Sequence, residues 1–509
     1  MSPTPAILTL DQGTTGTTAL VVSGDGRVLG RAYSEFTQHF PKAGWVEHDA
    51  DEIRDVTVRV ARQALEAARN RESFRTEGIG ITNQRETVVL WDRETGRPVH
   101  RAIVWQDRRS AKVCRELREA GREGEVRKRT GLLLDPYFSG TKLTWLFREH
   151  PELRRRAEAG ELACGTIDSW LIHAFTGGRG HATDPTNASR TLLYDLRSGE
   201  WEDDLLELFE VPPGILPEIR SSSGDFGMAD GEILGVEAPI CGVAGDQQAA
   251  LFGQGCWREG LAKNTYGTGA FVLLHTGDEP VHSEHGLVTT VACNAEGGRA
   301  FALEASIFIA GAAIQWLRDQ LELLPSAPES EAMAQSLQGN DGVYMVPAFV
   351  GLGAPHWNPE VKGAILGLTR GTGKSHLVRA ALEAMAYQTQ DALDAMEADS
   401  GVAAKELRVD GGAAENDWLM SFQAGISDLP VRRPALVETT ALGAAGLAGI
   451  QVGVWEGADQ FLAARGEPQI FRASMGNKER EVLRSGWSRA LAAVRAFEDP
   501  GEQGPHESG

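Results

Sequence analysis

Cysteine is scarce in this chain of 509 residues: Cys114, Cys164, Cys241, Cys256 and Cys293 are odd in number, far apart and form no C-x-x-C pair. That spacing argues against a disulfide frame or a structural zinc site, and a reducing cytoplasm is the simplest setting. Basic residues are also in deficit, 50 against 71 acidic ones, for a formal net charge of -21. Such a balance argues against nucleic acid as the main partner and gives no attraction to anionic lipid. Any anionic substrate needs a local basic pocket. The start, "MSPTPAILTLDQG", has no charged leader and only a short apolar run, so no signal peptide is expected. The charge-free stretch Thr439 to Trp455 is Gly/Ala-rich and short of a membrane span, and is expected to be a close-packed core helix.

What is present is an ordinary globular composition, 24% charged and 42% hydrophobic, long enough for two to four domains at roughly 150 residues each. "AILTLDQ" and "TTALVVSGDGRVLG" read as strands around a Gly/Thr turn. "DEIRDVTVRVARQALEAA" places Ile53, Val56, Val60, Ala64 and Ala68 on one helical face, with Asp51 as a candidate cap. "GIGITNQRETVVLWD" and "AIVWQD" continue the strand pattern. Near Ala250 to Lys263 the pattern restarts, and "GLAKNTYGTGAFVLLHTG" reads as a second Gly/Thr hairpin. The chain thus divides into two α/β halves, 1–257 and 258–497, followed by a polar tail, 498–509, expected to be disordered. "EWEDDLLELFE" reads as a solvated helix face, and "HSEH", without a third ligand nearby, as a turn.

"GLTRGTGKSH", Gly367 to His376, imitates a phosphate loop. A Walker loop needs G-x-x-x-x-G-K-[ST], so that successive backbone N–H groups curl around one phosphate. Counting back from Gly373 puts Leu368 where the first glycine belongs, and Gly367 is one residue too far. A strand-turn-helix connection is expected instead. The two hairpins are better candidates for a phosphate clamp. Gly13, Thr14, Thr15 and Gly16 follow Asp11, which can hold a magnesium ion, and Thr265, Gly267, Thr268 and Gly269 form the partner loop. "VDGGAAEN", Asp410 to Asn416, adds a glycine pair between a strand and a helix, where a base or ribose can lie on bare backbone.

At this point the chain resembles the FGGY carbohydrate kinases, and among them those that act on glycerol. "YFSGTKLTWLFRE" and "GAILGLTRGTGKSHLVRAALE" are similar to the two family signatures, and the likeness runs over about residues 6 to 490. It implies an actin-like (ribonuclease H-like) ATPase fold, two α/β domains with a cleft between them. It also implies ATP-dependent phosphorylation of glycerol with Mg2+, in the cytoplasm, without nucleic acid or membrane insertion, by a homodimer or homotetramer. The polyol site carried over by resemblance is Arg85, Glu86, Trp105, Tyr137, Asp246, Gln247 and Phe271, with Asp246 as the base. The ATP site carried over is Thr14, Thr15, Gly16, Thr18, Thr268, Gly311, Gln315, Gly412 and Asn416, with Asp11 for the metal. The alternatives are another kinase of the family, acting on a pentulose or sugar acid, and a non-catalytic polyol or nucleotide sensor. Three departures stand out: Gly16-Thr17-Thr18 replaces the usual Ser-Ser-Arg, Pro185 an aliphatic residue, and Ala305 a glycine.

Overall fold

The computed structural model describes residues 3–436 and 438–498. The tail read as disordered lies outside them from residue 499 onward; Glu498 ends the helix Asn477–Glu498.

The first sheet is a meander of β1 (Thr4–Gln12), β2 (Gly16–Ser23) and β3 (Val28–Glu35), extended by two parallel strands, β4 (Phe74–Asn83) and β5 (Ile240–Gly245). Its order is β3-β2-β1-β4-β5. All six residues of β5 are buried, as expected of a parallel strand covered on both faces. Helix α1 (Ala50–Arg69) follows β3 and buries Ile53, Val56, Val60, Ala64 and Ala68, the face read from the sequence. At about 1.5–3 kcal/mol for each large aliphatic side chain, that face holds the helix to the sheet. Its cap is Asp49 rather than Asp51: the Asp49 carboxylate accepts from the N–H of Asp51 at 3.0 Å and of Glu52 at 3.2 Å. Asp51 stands inside the first turn, where its charge faces the positive end of the helix.

The second half repeats this plan. β6 (Leu261–Tyr266) and β7 (Ala270–Gly277) form a hairpin, and β8 (Val288–Cys293) and β9 (Arg299–Ile307) a second one. β10 (Glu406–Asp410) and β11 (Val431–Arg433) add parallel strands, and β12 (Gln469–Phe471) closes the edge. The order β8-β9-β7-β6-β10-β11-β12 contains the same five-strand core, β9-β7-β6-β10-β11, flanked by two edge strands. Two sheets of one topology, each opened by a Gly/Thr hairpin, agree with the ribonuclease H-like expectation.

Helix α2 (Asp246–Gly253) follows β5 directly. Helices α3 (Gly311–Asp319) and α4 (Lys374–Ser400) lie between β9 and β10, α5 (Asp417–Ser427) follows β10, and α6 (Thr439–Gln451) follows β11. The connection from α2 to β6 contains the 257/258 division, yet α6 crosses back. Leu442, Ala445 and Ala448 of α6 pack with Ile7, Leu20 and Val22 of the first sheet. Small residues permit this: a side chain at Gly443 would run into the Ala249 carbonyl, and one at Gly253 into that of Thr439. The helix is buried from Ala441 to Gly449, and no helix among the described residues is long and apolar enough to cross a membrane.

Residues 84–239, inserted between β4 and β5, build a lobe around their own core, which includes Leu143, Phe147, Leu162, Leu193 and Phe209. Pro185 takes the first position of a short helix capped by Asp184, where a missing N–H costs nothing. Ala305 is fully buried in the core of the second half.

Candidate active site

The end of β4, the start of α2 and the inserted lobe bring the polyol candidates together. Arg85 and Glu86 are both almost fully buried. Glu86 has φ 61°, and Thr87 N–H donates to the Arg85 carbonyl at 2.7 Å, a three-residue turn that a side-chain-bearing residue adopts only under strain. Arg190 Nε donates to Glu86 Oε1 at 2.6 Å and fixes the carboxylate in that setting. Burial pushes the Glu86 carboxyl up, against the opposing pull of Arg190 and Arg85.

Arg85 reaches in two directions. Its Nε lies 3.2 Å from Asp246 Oδ1, while Nη1 and Nη2 donate to the two oxygens of Glu304 at 2.6 and 3.1 Å. Arg190 Nη2 donates to Glu304 Oε1 at 3.1 Å. Burial alone would raise the Glu304 carboxyl, but Arg190 and Arg85 hold it down at about 2. A bidentate guanidinium-carboxylate pair of this kind fixes orientation as well as charge.

Trp105 and Tyr137 stand edge to face, ring centres 5.5 Å apart. Trp105 Nε1 donates to Thr14 Oγ1 at 2.9 Å, which ties this aromatic wall to the first hairpin. Burial raises the Tyr137 hydroxyl above its ordinary value, so it stays a neutral donor. Gln247 accepts at Oε1 from Lys263 Nζ at 2.5 Å, and Lys263 also donates to Thr265 Oγ1 at 2.9 Å. Phe271 pairs with Thr265 across β6 and β7, on the sheet face that carries Lys263.

Asp246 opens α2. Its Oδ1 accepts from Gln247 N–H at 2.7 Å and faces Arg85. No protein donor reaches Oδ2 among the described residues. Asp11, at the end of β1, is pushed up to about 7, first by desolvation and then by the charge of Asp246. Two carboxylates that repel, one of them without a hydrogen-bonding partner, form an oxygen donor set suited to a hard divalent cation.

The nucleotide candidates gather at the hairpin ends. In the first, Gly13 N–H donates to the Gly16 carbonyl at 2.9 Å; Thr14 and Thr18 are half-buried and Thr15 is exposed. Thr18 pairs with Asp11 on one side and with Tyr33 on the other. The Tyr33 hydroxyl occupies the space a Gly16 side chain would need. The row therefore presents a phenol and a hydroxyl at the position where the family resemblance implies an arginine.

In the second hairpin, Gly267 N–H donates to the Gly269 carbonyl at 2.8 Å. Gly311 N–H donates to the Gly267 carbonyl at 3.0 Å, which docks the start of α3 on the turn. Thr268 is exposed, and a side chain at Gly412 would meet open space. Gln315, on α3, is exposed as well. Asn416 caps α5, its Oδ1 accepting from Leu419 N–H at 2.8 Å.

The imitation phosphate loop is a strand-turn-helix connection. Its donors are already used: Thr369 N–H binds Thr372 Oγ1 at 2.9 Å, Gly371 N–H binds Thr369 Oγ1 at 3.2 Å, and Gly373 N–H binds His376 Nδ1 at 3.1 Å. "HSEH" is a turn anchored on Asp399 through Ser283, Glu284 and His285.

Sequence reading missed Arg190, Glu304 and Lys263. Each left a faint signal, a charge inside an apolar strand in "AFALEASIF" and "GLAKNTYG" and an arginine in "NASRTLLYD". Lys263 is fully buried, and desolvation lowers it to about 8 despite the acidic groups around it.

Residues 6–253 match the model of the FGGY family of carbohydrate kinases, N-terminal domain, and residues 262–452 its C-terminal domain. A glycerol kinase of Deinococcus radiodurans is 53% identical over 502 residues, covering 99% of this chain and 100% of that protein. One of Petrotoga mobilis is 52% identical over 489 residues, covering 96% and 98%. The crystal structure of Plasmodium falciparum glycerol kinase with ADP superposes with a TM-score of 0.92 at 35% identity, covering 97% and 98%. With both halves matched in order along nearly the whole length, the chain belongs to the FGGY family of carbohydrate kinases.

Proposed function

We propose that this kinase transfers the γ-phosphoryl group of ATP to a terminal hydroxyl of glycerol, giving sn-glycerol 3-phosphate and ADP. The observation that carries the reading is the convergence of Arg85 on Glu86 and Asp246, with Trp105 and Tyr137 edge to face in the same candidate set. A three-carbon polyol offers hydroxyls to match these polar groups. The relatives named as glycerol kinases, 52–53% identical over nearly the full length, support the same substrate.

In the proposed step the hydroxyl oxygen bonds to the γ-phosphorus as the bond from that phosphorus to the β,γ-bridging oxygen breaks. The hydroxyl proton passes to Asp246 Oδ2, the oxygen left free by Arg85 and Gln247. Arg85 keeps Asp246 aimed; Glu86 accepts from a second hydroxyl, Tyr137 and Gln247 contact the third, and Trp105 and Phe271 cover the carbon chain. A positioned carboxylate contributes about 10²- to 10⁴-fold, and alignment of acceptor and donor supplies the larger share. Asp11 would hold Mg2+, which would supply neutralisation of phosphate charge. Thr14, Thr15, Gly16 and Thr18 on one side, and Thr268, Gly311, Gln315, Gly412 and Asn416 on the other, form the nucleotide clamp. Closure of the halves, 1–257 and 258–497, excludes water as a competing acceptor.

Five unpaired, buried cysteines support a cytoplasmic setting. A homodimer or homotetramer rests on family resemblance and is read by light scattering. The deciding experiment for the reaction is ADP release with a panel of glycerol, pentuloses and sugar acids. Glycerol is expected to give the highest kcat/KM; a pentulose or sugar acid in that place overturns the substrate, and ligand-induced stabilisation without ADP release overturns catalysis.

A further inference from the structure

Three features outside the assigned site could act on it: the buried Lys263, the Tyr33 phenol beside Thr18, and the carboxylate of Glu304. The last has the densest set of contacts. Glu304 sits in the middle of β9 of the second sheet, between the buried apolar residues Leu303 and Ala305, and is 1% exposed. Its two oxygens accept three N–H groups, two from Arg85 and one from Arg190. Arg190 is fully buried, belongs to the inserted lobe, and uses its Nε on Glu86, the residue with the strained backbone. Arg85 and Arg190 therefore each hold one polyol-site carboxylate, Asp246 and Glu86, and Glu304 holds both arginines.

We propose that Glu304 and Arg190 are positioning residues for the polyol: the second half of the chain reaches across the domain boundary with one carboxylate and sets both Arg85 and Glu86. This rests on the reading of the pocket given above. The charge pattern explains why one carboxylate suffices. Two buried arginines balance Glu86 and Glu304, so each guanidinium keeps its orientation without drawing on Asp246 as its main partner. Without the Glu304 charge, Arg85 would turn toward Asp246 and Arg190 toward Glu86, and both acceptors would leave the polyol. Among the described residues, neither Glu304 nor Arg190 hydrogen-bonds to the hairpin turns of the nucleotide clamp, so nucleotide binding has no share in the effect.

Glu304→Gln tests the proposal, because it keeps the size but points an amide N–H₂ at a guanidinium. Glycerol KM is expected to rise at least about tenfold, with Mg-ATP KM within about twofold and ADP-induced thermal stabilisation retained. Arg190→Lys, which keeps the charge but loses the planar fork, is expected to move glycerol KM in the same direction. A glycerol KM within about twofold of wild type in the folded variants overturns the proposal, as does a parallel rise in both KM values. Failure of both variants to fold assigns the cluster to stability and overturns it as well. The wild-type control separates the two readings: no turnover on glycerol defeats the proposed reaction, whereas turnover with unshifted variants defeats only the role of Glu304.

Discussion

The two hairpins begin as copies and end with different neighbours. Each joins the central strands of a five-strand core of the same order, and each is closed by a glycine N–H bonded to a glycine carbonyl. The first stands beside Asp11, and its Thr14 hydroxyl accepts from Trp105 Nε1 of the inserted lobe. The second has its carbonyls taken by the start of α3 and leaves Thr268 exposed toward solvent. Their different insertions explain the divergence. After β4 the first half inserts the lobe that carries Trp105, Tyr137 and Arg190, whereas after β10, the counterpart of β4, the second half runs on to α5 and β11 without one. A duplicated scaffold thus gives its two hairpins different neighbours through its insertions, while the strand order stays unchanged.

That contrast between the acceptor residues and the nucleotide clamp can be probed from either side. The largest effect is expected from Asp246→Asn, which belongs to the acceptor side: kcat should fall by about 10²- to 10⁴-fold while ADP-induced stabilisation survives. Single-turnover kinetics and a thermal melt read the two halves separately, and near-normal turnover would remove Asp246 from its role.

A smaller effect concerns Asp11. Its folded value, about 7, lies above the ordinary carboxylate value of 3.8. Between these values the unfolded chain has released a proton that the folded chain keeps, so stability should fall as pH rises from about 4 to 7. Above that window the two ionised carboxylates repel, so the gain in Tm on adding Mg2+ should grow from about pH 6 to about pH 8. Asp11→Asn should flatten both trends; a Mg2+ gain independent of pH in the wild type would refute the pairing.

The smallest effect is expected at Thr18. Thr18→Arg places a cation in a row that now holds Asp11, Thr18 and Tyr33. Mg-ATP KM should fall about three- to tenfold, the worth of a partly solvated charge-assisted hydrogen bond, with glycerol KM unchanged. An unchanged Mg-ATP KM would show that the Tyr33 row does not face the phosphates.

Much of this arrangement is written locally. The Gly/Thr hairpins arise from strand-turn-strand patterning, and the apolar face of α1 from its helical spacing. The cap of α1 lies two residues before Asp51, because Asp49 has the extended backbone from which a side chain can reach the helix N–H groups. The missing first glycine exposed the imitation phosphate loop, and its own hydroxyls and His376 consume the donors. Arg85 and Glu86, adjacent in sequence, could be named through resemblance to the family. Arg190 and Glu304 could not be joined to them by spacing: Glu304 meets Arg85 across 219 positions and Arg190 across 114.

The sequence by itself therefore determined the two α/β halves, their hairpins and the residue types that polyol and phosphate chemistry require, because those depend on periodicity and on backbone freedom within a few positions. Tertiary structure alone decided that α6 crosses to the first sheet, that Asp246 keeps one oxygen free, and that a carboxylate from the second half balances two arginines of the first. Those outcomes depend on burial and on charge pairing at distances that only the packed chain brings within a few ångströms.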